Sequence, residues 1–161
     1  MGLSTYHGGL DNGNNGKKSG IDGSIHIYSG DFEYSILDFD FRGAIAFEDI
    51  SGAEQIGNGA ASEIFGWYFE GGYHLFPNTW KRGLLLRSDA VVFMRYDYYN
   101  TQFQMPSGVP ANPAGDRNEW TIGLTFYFTP NVVFKTDYQI RDNASDQKPE
   151  NLFNLGVGFQ F

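Results

Sequence analysis

Cysteine is absent, which removes disulfide frameworks, thiolate metal sites and cysteine nucleophiles. Positive charge is scarce: 11 Lys and Arg stand against 19 Asp and Glu, a net charge of -8, and no basic run occurs. An electrostatic grip on nucleic acid is thereby excluded, and no nucleic-acid partner is expected. No stretch approaches the roughly 18 apolar residues that a membrane helix needs. That test is blind to membrane strands, which need about 9–11 residues with only every second one apolar. Met1 is followed by Gly2, Leu3, Ser4 and Thr5 without a basic or apolar leader, so a secretory signal is expected to have been removed or lost by truncation. No nucleophile motif accompanies His7, His26 or His74, and His-Glu-x-x-His spacing is missing. No catalytic residue, metal or cofactor is expected, and the histidines are read as hydrogen-bonding groups, with His26 and His74 on the polar face.

What is present is aromatic and glycine-punctuated: aromatics make up 17% of the chain, and there are 21 Gly. This balance suits β structure better than a helical bundle. Period-two alternation dominates. Phe153, Leu155, Val157, Phe159 and Phe161 alternate with Asn154, Gly156, Gly158 and Gln160. Phe134, Thr136, Tyr138 and Ile140 alternate with Lys135, Asp137, Gln139 and Arg141, so the charges of that strand share one face. Trp120, Ile122, Leu124 and Phe126 oppose Glu119, Thr121, Gly123 and Thr125; Val92, Met94, Tyr96 and Tyr98 oppose Phe93, Arg95 and Asp97. Phe65, Trp67, Phe69 and Tyr73 oppose Tyr68, Glu70 and His74, and Leu37, Phe39, Phe41 and Ile45 oppose Asp38, Asp40 and Arg42. Ile21, Ile25 and Ile27 against Asp22, Ser24, His26 and Tyr28 make a shorter seventh strand, and Leu3 to Tyr6 a weak eighth.

Connections alternate in length. Gly8 to Gly20, Asp49 to Ser62, Thr101 to Arg117 and Asp142 to Glu150 are long and polar. Ser29 to Asp31 and Thr129 to Asn131 read as tight turns, with Pro77 to Arg87 a longer link on their side. Long loops on one rim and short turns on the other mark an outer-membrane barrel. The chain, residues 1–161, is therefore expected to be one all-β domain, an antiparallel up-and-down transmembrane β-barrel or part of one. A soluble lipocalin-like barrel would show the same alternation with its apolar face turned inward. The uniform ring-bearing face, with Trp67, Tyr73, Tyr98, Trp120, Phe128 and Phe161 near strand ends, favours lipid as its partner.

The C-terminal run Asn154, Leu155, Gly156, Val157, Gly158, Phe159, Gln160 and Phe161 resembles the β-signal read by the outer-membrane barrel assembly machinery. Asn154, Gly156, Phe159 and Phe161 carry that likeness, which implies that machinery as a partner and insertion into a bacterial outer membrane. A longer likeness runs through Gly66-Trp67-Tyr68-Phe69-Glu70-Gly71-Gly72-Tyr73-His74-Leu75, Arg95-Tyr96-Asp97, Asn100-Thr101-Gln102, Glu119 to Leu124 and Thr129 to Lys135. These segments resemble the C-terminal half of the phosphate-selective porin O and P family. The resemblance implies trimeric, water-filled barrels of about sixteen strands, of which this chain would be part. The alternative is a self-contained eight-strand barrel with a structural or adhesive role.

Within either architecture the polar face supplies the functional candidates. Arg42, Arg95, Lys135 and Arg141 are the anion contacts to expect in a pore for ions and small solutes, with Asp38, Asp40, Glu70, His74, Asp97 and Asp137 as further lumen residues. Phosphate selectivity in the family relies on basic clusters, whereas acids prevail on this face, so passive diffusion is the expected activity. Asp11 to Asn15 and Asp142 to Asp146 are acidic and amide-rich but lack calcium-loop spacing and read as solvated turns.

Overall fold

The computed structural model describes residues 1–10, 22–145 and 148–160. Ile21, Asp11 to Asn15, Asp146 and Phe161 lie outside the described residues. Eight strands follow one another in a single sheet: β1 (Gly2–Gly9), β2 (Ser24–Ile36), β3 (Phe39–Ser51), β4 (Glu63–His74), β5 (Asp89–Gln104), β6 (Asp116–Thr129), β7 (Val132–Asn143) and β8 (Glu150–Phe159). Every pair is antiparallel, and spatial order equals chain order. The sheet is not closed: β1 and β8 are its two edges and do not pair with each other. A short helix α1 (Ala53–Ile56) lies between β3 and β4, and 3-10 turns occupy Gly83–Leu85 and Pro113–Gly115.

The alternation explains the strands, because ring-bearing and β-branched residues at every second position pack laterally on one pleated face. Phe41 stacks on Phe69 at 6.1 Å between ring centroids, Trp67 meets Tyr96 at 5.4 Å, and Tyr96 meets Trp120 at 4.7 Å. These contacts carry one aromatic band from β3 to β6. Two turns are tight. Pro130–Asn131 joins β6 to β7, where proline presets φ, and the Asn131 N–H donates to Thr129 Oγ1 at 3.2 Å. Leu37–Asp38 joins β2 to β3, with Leu37 at φ 56. Gly52, which precedes α1, has φ 80, and a Cβ there would stand 2.5 Å from the Asp22 carbonyl oxygen, so only glycine fits.

Two expectations about β2 are overturned. Ser29 to Asp31 is not a turn but the middle of a 13-residue strand. The faces of that strand are also reversed: Tyr28 pairs with Phe47 on the apolar side, whereas Ile25 and Ile27 pair with Ile50 and Glu48 on the polar side. The apolar face of β2 continues through Phe32, Tyr34 and Ile36, opposite Gly43, Phe41 and Phe39. At the N-terminus, Gly8 and Gly9 belong to β1 and not to a loop.

The sheet has almost no interior of its own. Among the described residues the buried apolar ones are Ala53, Ala61, Ala90 and Phe93 alone. The accessible surface is 11078 Å², against about 8,000 Å² for a compact soluble protein of this mass. The excess, about 3,000 Å², falls in part on the apolar face, where Phe69, Ile122 and Phe153 are 46%, 53% and 69% exposed.

Candidate functional site

On the polar face charged side chains from several strands converge, and register decides who meets whom. Glu33, Arg42, Glu70 and Arg95 stand side by side on β2 to β5 with alternating sign. Arg42 reaches Glu70 at 2.6 Å; the Glu70 side chain is 11% exposed and that of Arg42 49%. Arg95 turns along its own strand instead, and its Nε donates to both Asp97 carboxylate oxygens at 2.9 Å. Its guanidinium lies 3.9 Å from the Tyr68 ring centroid, a cation–π contact on the same face. Arg141 Nε donates to Glu119 at 2.8 Å, and its terminal nitrogen to Gln139 at 2.8 Å.

Lys135 differs from the three arginines. Among the described residues no carboxylate lies within ion-pair distance of its Nζ. It sits 4.6 Å above the Phe93 ring. Phe93 is 6% exposed although it points to the polar side, because Gly72 and Gly123 flank it on β4 and β6 and leave room for the ring to lie down. A Cβ at Gly123 would stand 2.5 Å from that ring. Asp137 accepts from Asn154 Nδ2 at 2.8 Å.

A hollow of about 370 Å³ is lined by Arg42, Glu70, Arg95, Asp97, Lys135 and Asp137, among others, from five successive strands, β3 to β7. It gathers three of the four expected cations. Arg141 lies toward the long-loop rim, where a second hollow of about 470 Å³ is lined by Arg117, Glu119, Arg141 and Glu150 among others. Among the described residues no buried side-chain nitrogen or oxygen lacks a hydrogen-bond partner.

At the short-turn rim His74 lies between two carboxylates, with Nε2 2.8 Å from Asp40 and Nδ1 2.9 Å from Asp89. Both bonds can form together only when both ring nitrogens carry protons. Ser35 Oγ donates to Asp40 at 2.5 Å, and Lys81 Nζ to Asp89 at 3.2 Å. The cluster ties the β2–β3 turn to the stem of the β4–β5 link.

Arg42, Arg95, Lys135, Arg141, Asp40, Glu70, His74, Asp97 and Asp137 therefore stand on the polar face, as expected. Asp38 does not: it is part of the Leu37–Asp38 turn, and its carbonyl accepts the His74 N–H at 2.8 Å. Asp22 precedes β2 and engages Gln55 through its backbone. His26 faces the apolar side, since its cross-strand partner Asp49 lies in register with the Phe47 face, and its Nδ1 is 2.5 Å from Nδ1 of His7. Of the C-terminal residues, Asn154 and Gly156 face the polar side, opposite Asp137 and Lys135, and Phe159 lies opposite Val132 on the apolar side. Sequence reasoning missed Asp31 and Glu33, which extend the charged row onto β2, and Arg117 on β6. Alternation continued past Gly30 would have found the first two.

No protein-family model matches the chain. An uncharacterized protein of Aquifex aeolicus (strain VF5) is 23% identical over 174 residues, an alignment covering 100% of this chain and 38% of that protein. The chain thus spans less than two fifths of the length of that relative. No solved structure matches the chain.

Proposed function

We propose that the sheet is an arc of an outer-membrane β-barrel wall whose polar face lines a water-filled path for passive diffusion of ions and small hydrophilic solutes. The observation that carries this reading is the sorting of the two faces along the middle of β3 to β7, with Phe93 the large apolar exception on the charged side. Rings and aliphatic side chains stand exposed on one, and charged side chains from five successive strands gather on the other. Strands β2 to β7 have 12 to 16 residues, more than the about 9–11 that cross a bilayer at a tilt. The troughs between the outer rings, lined by Leu3, Ile45, Trp67 and Phe69 and by Phe41, Met94 and Ile122 among others, have the chemistry of acyl chains. A relative well over twice as long fits a wall with further strands beyond these eight.

The charges define the traffic. An anion such as phosphate, which the likeness to phosphate-selective porins implies, would have to displace Glu70, Asp97 or Glu119 from an arginine in order to be held. Among the described residues Lys135, and Arg117 at the long-loop rim, are the polar-face cations it would meet without such competition. Among the described residues Asp31 and Glu33 have no ion pair, so small cations are favoured over anions along this wall. The homotrimer belongs to the proposal through the same likeness.

Planar-bilayer recording in a salt gradient tests this. Discrete conductance steps with a reversal potential on the cation side are expected, and Lys135→Glu should move that potential further in the same direction. Protein that is inserted, shown by altered gel mobility on boiling in detergent, yet electrically silent would point instead to a narrow barrel filled by its own side chains.

A further inference from the structure

The β4–β5 link is the one connection whose chemistry does not match its rim. From Leu75 to Ser88 it contains no acid, in a chain with 19 of them, yet carries three of the 11 cations, Lys81, Arg82 and Arg87. Between these cations stand three leucines, of which Leu84 is 99% and Leu86 62% exposed, and Trp80 is 59% exposed. Arg82 and Arg87 are exposed as well and have no ion pair among the described residues, whereas Lys81 is held by Asp89 at the stem. The other two connections on this rim are two-residue turns, so fourteen residues of apolar and basic side chains are not needed to join strands.

Its direction is fixed. Phe76 meets Phe126 at 5.8 Å and Trp80 at 5.9 Å, and Phe126 meets Phe128 at 4.6 Å. Phe126 pairs with Ala90 and Phe134 on the apolar face of the sheet. Ser88 Oγ donates to the Phe128 carbonyl at 2.8 Å and clamps the other end of the link to β6. The Phe76–Trp80 stretch of the link therefore leans over the rim of the ring-bearing face, while Lys81 reaches back to Asp89 on the charged side.

We infer that residues 75–88 form a membrane-interface anchor, with Trp80, Leu84 and Leu86 entering the acyl boundary and Arg82 and Arg87 binding the phosphates of anionic phospholipids. This rests on the reading of the apolar face as lipid-facing and adds to it a specific lipid chemistry at one rim. Apolar side chains flanked by unpaired cations are what an anionic interface selects. The continuous aromatic contact from Phe128 through Phe126 and Phe76 to Trp80 makes the anchor an extension of the proposed lipid face.

The absence of cysteine allows a clean test with single-cysteine chains, Leu84→Cys and Ile122→Cys, each carrying an environment-sensitive fluorophore. The full chain is reconstituted in phosphatidylcholine vesicles with and without phosphatidylglycerol. The probe at position 122 should be quenched by lipid-borne quenchers in both vesicles. The probe at position 84 should be quenched by lipid as well, more strongly with phosphatidylglycerol, and Arg82→Gln with Arg87→Gln should abolish that difference. Titrating phosphatidylglycerol into these vesicles should show half-maximal response at a level about fivefold higher for each cation removed. A position-84 probe open to aqueous iodide while position 122 is lipid-quenched overturns the anchor and leaves the membrane reading standing. Lipid quenching at 84 that ignores phosphatidylglycerol overturns the anionic-headgroup assignment. Iodide access at both positions overturns the membrane reading itself.

Discussion

Ile122→Arg separates a lipid-facing sheet from a water-facing one more sharply than any other single change. Ile122 is the seventh residue of the fourteen in β6, so it sits at mid-strand, and its lateral neighbours are Met94 and Tyr138. It is 53% exposed on the sheet as it stands. On a protein surface in water, a half-exposed position away from caps and ion pairs changes stability by within about 0.5 kcal/mol. At the midplane of a bilayer, the same arginine on the outer face of a barrel costs about 2–4 kcal/mol, falling to about 0–1 near the interface. Two partners calibrate the measurement. Val132→Arg places the cation at the rim end of the same face, opposite Phe159. Gln139→Arg places it on the polar face, between Thr121 and Leu152. Equilibrium denaturant unfolding in lipid vesicles, followed by tryptophan emission, should rank the losses Ile122→Arg, then Val132→Arg, then Gln139→Arg. With a denaturant slope of about 2 kcal/mol per molar, the first should lower the midpoint by about 1–2 M. Equal losses for Ile122→Arg and Gln139→Arg would refute the assignment of the apolar face to lipid.

Leu37→Gly should stabilise the sheet by about 1 kcal/mol, because Leu37 holds φ 56 in a two-residue turn where a Cβ is strained; a lower unfolding midpoint would show that its 93% exposed side chain has its own partner. A double-mutant cycle of Arg42→Ala and Glu70→Gln should return a coupling of about 1 kcal/mol, discounted from the value for a fully buried pair because the arginine is half exposed. Coupling under about 0.3 kcal/mol would mean that solvent screens the pair. Gly123→Ala should destabilise by about 1–3 kcal/mol, since the new methyl must displace the Phe93 ring or the Thr136 carbonyl. Gly156→Ala, with open space at that Cβ, should be silent in the same unfolding assay.

Period two sorted the faces of β3 to β8 correctly because each alternates rings or branched aliphatics against charge, glycine or amide. It failed at β2 for local reasons. Gly30 has no side chain to continue the pattern, and with Asp31 it imitates a turn signal. The real turn, Leu37–Asp38, has neither glycine, proline nor asparagine, and Asp38, its one turn-forming residue, fits the alternation with Asp40 equally well. A turn at Ser29 to Asp31 cuts the strand short and makes Ile25 and Ile27 its apolar set, the reversal a one-residue slip produces. The same displacement put Asp38 on the polar face. In the site, the faces of Arg42, Arg95, Lys135 and Arg141 were legible, but most of their partners were not. Arg95 and Asp97 share one strand two residues apart, so that pair could be read directly. Arg42 finds Glu70 and Arg141 finds Glu119 only through cross-strand register, which alternation alone does not contain.

How wide the proposed wall would be follows from charge, not from strand number. Eight strands about 4.8 Å apart at a barrel tilt of about 40° would close on a circumference of about 50 Å, whose interior side chains fill. Such an interior takes charges out of water, so each acid would need a cation beside it. On the polar face Asp31, Glu33, Asp40, Glu48, Glu70, Asp89, Asp97, Glu119, Asp137 and Glu150 outnumber Arg42, Arg95, Arg117, Lys135 and Arg141 by far, and His74 with Lys81 serves only Asp40 and Asp89. Asp31 and Glu33, without an ion pair among the described residues, would have to stay hydrated or take up protons. The edges press the same way. Within hydrocarbon the outer backbone groups of β1 and β8 need strand partners, and closing β1 on β8 would satisfy them only by drying the acids. Further strands between those edges satisfy the backbone and keep water along the charged face at once.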